Sequence, residues 1–181
     1  MSAVSGEHAV RLRAAGTDDM PAIAALYASH VRTGTATFEL DPPDEAEMRR
    51  RRDDIVSRGL PYLVAMRDDQ IVGYAYAGPY RPRPAYRFTV EDSIYVRADC
   101  AGQGVGRLLL RALIEACEHA GARQMIAVIG DTANSASIRL HVAAGFTRTG
   151  LLPSVGWKFG RWLDVVLMQR SLGPGDAQPG A

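Results

Sequence analysis

Residues 101–107 read Ala-Gly-Gln-Gly-Val-Gly-Arg, with glycine at 102, 104 and 106. Glycine lets a main chain approach a ligand because no Cβ stands in the way. Where such a turn opens a helix, its N–H groups converge on one spot and the helix dipole favours an anion there. The chemistry implied is pyrophosphate binding; a plain tight turn is the other reading. The dinucleotide fingerprint Gly-x-Gly-x-x-Gly is absent, since the third glycine comes one residue early, and no Lys-Ser/Thr follows as in a Walker loop. Three further groups carry chemistry. Glu91 is a carboxylate inside an otherwise apolar segment, either a proton acceptor or an exposed strand residue. Asn134, Ser137 and His141 fall at i, i+3 and i+7, so one helix face holds an amide, a hydroxyl and an imidazole. A lone helical histidine is also a common packed core residue. Arg83 stands between Pro82 and Pro84, a stiffened setting for a guanidinium that takes a carboxylate through two hydrogen bonds. Phe38, Tyr76 and Tyr86 suit the walls of a side-chain pocket and suit core packing equally well.

These groups need elements to hold them. Residues 10–13 read as a short strand, and Thr17 as the N-cap of a helix whose apolar side carries Met20, Ile23, Ala24, Tyr27 and Val31. Pro42-Pro43 opens a second helix that ends near Gly59. Its Arg49–Arg52 run is flanked by acids and reads as a solvated face. Residues 62–66 and 71–78 form a hairpin, and 88–96 a third strand carrying Glu91. The polar run 91–93 breaks the period of two, as a β-bulge would. A helix over 104–119 follows, with a stripe of Val105, Leu108, Leu109, Ala112, Leu113 and Ala116. Then come a strand over 124–129, a short helix over 134–144 stopped by Gly145, and two strands over 146–152 and 162–172 joined by a loop. The order is β, two helices, three strands, helix, strand, helix, two strands. It predicts an α/β fold with one mixed, mostly antiparallel sheet of seven strands and four helices on both faces.

The chain has 181 residues, which suits one domain over 10–172, with a flexible stretch 1–9 and a disordered Gly/Pro-rich tail 173–181. Formal net charge is +1, so no overall field draws in nucleic acid or a membrane surface. No apolar run approaches the roughly 18 residues of a membrane span. Cys100 and Cys117 show no metal-ligand spacing, and their number favours a reducing cytoplasm over a disulfide framework.

Several segments together carry a resemblance. A strand ending Ile94-Tyr95-Val96, the turn Gly102-Gln103-Gly104-Val105-Gly106 and an amphipathic helix resemble the acetyl-CoA motif Gln/Arg-x-x-Gly-x-Gly/Ala of the GNAT superfamily of N-acetyltransferases. Ala101 departs from its first position. Asn134-Ser135-Ala136-Ser137 and Ala144-Gly145-Phe146 are similar to the family's second signature. The segments Thr35-Ala36-Thr37-Phe38, 74–86, 89–93 and 158–164 resemble its phosphinothricin and methionine sulfoximine acetyltransferase branch, in order along nearly the whole chain.

The resemblance implies a GNAT fold and acetyl-CoA as co-substrate, with no metal. It implies a small amino-acid-like amine as acceptor, a polyamine or protein N-terminus being the alternative acceptor and a non-catalytic acetyl-CoA sensor the alternative to an enzyme. It makes Glu91 the base, and gives His141 a role on the amine's proton or against the cofactor. It places acetyl-CoA against Ile94, Tyr95, Val96, Gly102, Gln103, Gly104, Val105, Gly106, Arg107, Asn134 and Ser137. It leaves the acceptor to Phe38, Tyr76, Arg83 and Tyr86. Residues 157–164 would meet a second subunit, which implies a homodimer.

Overall fold

The computed structural model describes residues 9–179. Four strands, β1 (Arg11–Ala14), β2 (Tyr62–Arg67), β3 (Gln70–Pro79) and β4 (Thr89–Val96), lie side by side. They are followed in space by β5 (Gln124–Gly130), β7 (Arg161–Ser171) and β6 (Thr147–Lys158), in the order β1-β2-β3-β4-β5-β7-β6. Every neighbouring pair is antiparallel except β4 with β5. Among the described residues the four α-helices are α1 (Met20–Thr33), α2 (Glu45–Ser57), α3 (Val105–His119) and α4 (Ser135–Ala143).

The period of two sorts the sheet's side chains onto two cores. On one face Tyr62, Val64, Tyr74 and Tyr95 pack with Ile23, Tyr27 and Val31 of α1 and Met48 and Ile55 of α2. On the other, Val72, Ala75, Val90, Met125 and Met168 meet Val105, Leu109, Leu110, Leu113, Ile114 and Cys117 of α3. Each fully buried leucine there contributes about 1.5–3 kcal/mol, so α3 is anchored along its whole length. Its stripe is rotated from the expected one: Leu110 and Ile114 are buried, while Leu108 is 42% exposed.

Three local expectations change. Thr17 caps no α-helix; it begins a single 3₁₀ turn, and α1 starts at Met20 with Pro21 in its first turn. Asp19 secures that corner by accepting from the Gly16 N–H at 2.7 Å and from Arg13 at 2.6 and 2.7 Å. The loop expected between the last strands is mostly strand. β6 continues to Lys158 through an irregularity between Leu152 and Gly156. It turns at Phe159-Gly160, both at positive φ (51° and 71°), the conformation of a two-residue hairpin turn. Pro153 and the extra residues of that irregularity hide the alternation. At the C-terminus, residues 173–176 form turns, with Gly175 N–H donating to Leu172 O and Ala177 N–H to Pro174 O. The expectation of flexibility before residue 9 falls outside the described residues, as does the end of the tail.

Candidate active site

The site lies where the sheet splits. β4 pairs with β3 without interruption from Val90 to Val96. Its parallel pairing with β5 ends at Asp92 opposite Ala127, while β5 stays with β7 as far as Gly130. Beyond Asp92 the two strands part, and residues 93–96 of β4 are left with one partner strand. This replaces the expected bulge: the polar run 91–93 breaks the pattern because both faces of β4 border a cleft. The cleft opens into a cavity of about 720 Å³.

One end of the cavity is the glycine turn. Gly102 (φ 74°) and Gly104 (φ 85°) hold left-handed conformations, and Gly104 caps α3. A Cβ added to either would project into open space with nothing within 4 Å. Gly102, Gly104, Gly106 and Arg107 line the cavity, as does Ala101. Gln103 and Val105 do not. Gln103 faces outward, accepting from Arg67 at 2.6 Å and donating to Asp99 O at 2.7 Å, so it braces the turn. Val105, the first residue of α3, is buried in the core. Asn134 and Ser137 line the same cavity from α4, where Asn134 Oδ1 also caps the helix by accepting from Ser137 N–H at 3.3 Å. Ile94, Tyr95 and Val96 line it from β4.

Glu91 sits at the fork of the cleft. Burial pushes its pKa up, the neighbouring Asp92 carboxylate adds to the shift, and Arg81 opposes it. Such a carboxylate holds a proton more readily than an exposed one, as a base requires. Tyr76 and Phe38 border the same end of the cavity.

His141 is 3% exposed with both ring nitrogens engaged. Nδ1 is 2.8 Å from Ser137 O, which can only accept, and Nε2 is 3.0 Å from Asp92 Oδ2. Burial disfavours the charged ring, and the Asp92 hydrogen bond and charge outweigh it, so its pKa is raised. The imidazole is thus held in a buried pair with Asp92, whose Oδ1 has no partner among the described residues.

Arg83 and Tyr86 do not line the cavity. They belong to the exposed 3₁₀ turn Pro84–Tyr86 and its flank, on the β3–β4 connection. The reading from sequence missed Asp92, His30 and Arg139. His30 Nε2 lies 2.9 Å from Val96 O, and its ring lines the cavity with Arg139. Asp92 was hidden by distance, since its partner is 49 residues away. Among the described residues no group of three or more His, Cys, Asp or Glu is placed to hold a metal, and no helix is long and apolar enough to cross a membrane.

A split sheet, a glycine turn opening a helix at one end of the cleft and a half-buried carboxylate at the other are the arrangement of a class of transferases whose cleft suits a long donor. Residues 23–146 match the family model described as Acetyltransferase (GNAT) family. The chain is 59% identical over 168 residues to a phosphinothricin N-acetyltransferase of Alcaligenes faecalis, covering 93% of this chain and 85% of the relative. It is 43% identical to an L-methionine sulfoximine/L-methionine sulfone acetyltransferase of Pseudomonas aeruginosa, covering 93% and 98%. A GNAT superfamily phosphinothricin acetyltransferase from Sinorhizobium meliloti, solved in complex with AcCoA, superposes with a TM-score of 0.92 at 46% identity, covering 95% of this chain and 93% of that one. This chain belongs to the GNAT acetyltransferase family.

Proposed function

We propose that this enzyme moves the acetyl group of acetyl-CoA onto the α-amine of a small amino-acid-like acceptor of the phosphinothricin, methionine sulfoximine or methionine sulfone type. The observation that carries the reading is the single cavity joining the glycine turn to Glu91, together with relatives named for those acceptors. Acetyl-CoA supplies the thioester. Arg107, Arg139 and the turn's N–H groups suit its phosphates, and the unpaired side of residues 93–96 suits its amides. Asn134 and Ser137 border the path between them.

An α-amine has a pKa near 8, so it arrives mostly protonated. Glu91 takes that proton. The freed nitrogen attacks the thioester carbonyl, whose developing negative charge meets main-chain N–H groups of β4, each worth about 3 kcal/mol. The tetrahedral carbon then collapses: the bond to sulfur breaks, CoA leaves as the thiolate, and the proton the nitrogen still has to shed passes to that thiolate, directly or through water, giving the amide and CoA-SH. His141, with its ring nitrogens taken up by Ser137 O and Asp92, borders the cavity and offers the amine no free nitrogen. Arg83 takes the acceptor's carboxylate from the exposed β3–β4 connection; Arg81, which lies over the Tyr80 ring and whose charge acts on Glu91, is the rival. We further propose a homodimer through the exposed side of the β6–β7 hairpin, and a cytoplasmic setting in keeping with two free, buried cysteines.

The test is release of free CoA from acetyl-CoA with a panel of amines. Phosphinothricin and the methionine derivatives should turn over, and their decarboxylated analogues should be poor. Arg83→Ala should raise the acceptor KM about ten- to a hundredfold, the loss of a contact worth about 1.5–3 kcal/mol, and should leave decarboxylated analogues almost unaffected. Additive losses on crossing Arg83→Ala with removal of the carboxylate would take Arg83 out of recognition. Coupling at Arg81 would move the role there.

A further inference from the structure

Phe38 sits on two glycines. An ideal Cβ built on Gly156 of β6 would lie 2.2 Å from Phe38 Cε2, 2.6 Å from Cδ2 and 2.7 Å from Cζ. One built on Gly130, at the end of β5, would lie 2.9 Å from Phe38 Cε1 and 2.6 Å from Thr35 O. Carbon contacts settle at about 3.5–4.0 Å, so neither position accepts a side chain while the ring stays where it is. One edge of the ring rests on each glycine, and the ring borders the cavity beside Tyr76 and Glu91.

The main chain around Phe38 is fastened on both sides. Thr35 Oγ1 donates to Asp131 Oδ2 at 2.9 Å, and Arg161 binds the same carboxylate oxygen from β7. Thr37 Oγ1 is 2.8 Å from Tyr27 Oη. Lys158 Nζ, 3% exposed, donates to Thr37 O at 2.8 Å. Arg51 holds Glu39. Gly156 and Lys158 are the two buried residues at the end of β6, two apart and hence on one face. The loop therefore cannot slide to make room, and a group added at 156 must be met by the ring itself. The strands close off one side of the ring, and the cavity is on the other.

We propose that Gly156, with Gly130, sets the depth of the acceptor pocket by seating Phe38, so that position 156 determines which acceptor side chains fit. This rests on the reading of the Phe38–Tyr76–Glu91 end as the acceptor site. A methyl at 156 tips the ring about 1.5 Å toward the cavity, the difference between the built contact and an ordinary one. Long acceptors lose room and short ones keep it.

The experiment measures kcat and KM of Gly156→Ala with methionine sulfone and with alanine as acceptors, along with acetyl-CoA affinity by calorimetry and the thermal midpoint. The ratio of kcat/KM for methionine sulfone over alanine should fall tenfold or more, within the range a methylene-sized change commands in an apolar pocket. Acetyl-CoA affinity should be unchanged. Phe38→Ala in the Gly156→Ala background should return the ratio to or above the wild-type value, and should restore folding if the single variant is unstable. A wholly structural defect would lower both acceptors alike and would not be rescued. An unchanged ratio, or a ratio that Phe38→Ala does not restore, overturns the proposal. A crystal structure of Gly156→Ala reads the ring directly, whatever the acceptor proves to be. A ring in the wild-type place overturns the seat; a displaced ring in an enzyme inactive on every α-amino acid would instead refute the acceptor reading.

Discussion

Glu91 and Asp92 are adjacent, yet they point to opposite faces of β4 and meet different fates. Asp92 is spent on His141. Glu91 has no such cation and is left with a raised pKa, from burial first and from Asp92 second. The sign follows for catalysis: the base form grows as pH rises through that raised value, so turnover should climb there. Glu91→Gln should remove this limb and cut turnover near pH 7 by about a hundredfold or more, the gap narrowing at high pH as the amine loses its own proton. The sign is opposite for stability. A carboxyl whose folded pKa is raised favours the fold at low pH and costs stability once ionised, so the glutamine variant should melt no lower than wild type at pH 8. Unchanged turnover at pH 7 would dismiss Glu91 as the base. Glu91 and the glycine turn were visible in the sequence as a charge inside an apolar strand and three alternate glycines, but each had a bland alternative, and the family resemblance is what singled them out. The Asp92–His141 pair and the seat beneath Phe38 were not visible, since each joins residues that only the folded sheet brings together.

The elements differ in how openly they announce themselves. α3 was readable because its apolar residues recur at helical spacing between Gly104 and Gly121. β6 was read short because its irregularity sets the four residues after Leu152 against only two of β7. A strand whose register slips cannot show a clean period of two. At the junction of β4 and α3, Gly104 serves two ends, since its φ of 85° suits glycine and its bare Cα leaves the cavity open. Two substitutions separate them. Gly104→Ala meets only the cost of the left-handed conformation, about 1–2 kcal/mol, and should lower the thermal midpoint with a modest effect on acetyl-CoA affinity. Gly104→Val adds a branched side chain in the cavity and should weaken acetyl-CoA by tenfold or more in calorimetry. Wild-type affinity in the valine variant would place the donor elsewhere.

At the scale of the whole molecule, the uneven distribution of apolar surface is informative. Trp157, Phe159 and Trp162 are 55%, 56% and 61% exposed, and Leu151, Leu152 and Val155 extend the patch along β6. The two indoles pack edge to face, 5.1 Å apart. Contiguous apolar surface of this kind is characteristic of an interface. The wild-type chain should therefore sediment as a dimer, and Trp157→Glu with Trp162→Glu as a monomer; a monomeric wild type would refute the proposed assembly. The opposite side of the same hairpin carries Gly156 and Lys158, so an assembly formed there would brace the seat of Phe38 from behind. The split between β4 and β5 has a different consequence. It gives the sheet a third edge, in its middle, where residues 93–96 offer main-chain groups to any extended chain. A protein strand would need room for side chains on both of its faces. Here α1 closes in, with His30 against Val96 O, and the loop carrying Phe38 stands across from it. A strand pairing there would have to displace α1 and that loop, so the edge that would otherwise invite aggregation is guarded by its neighbours.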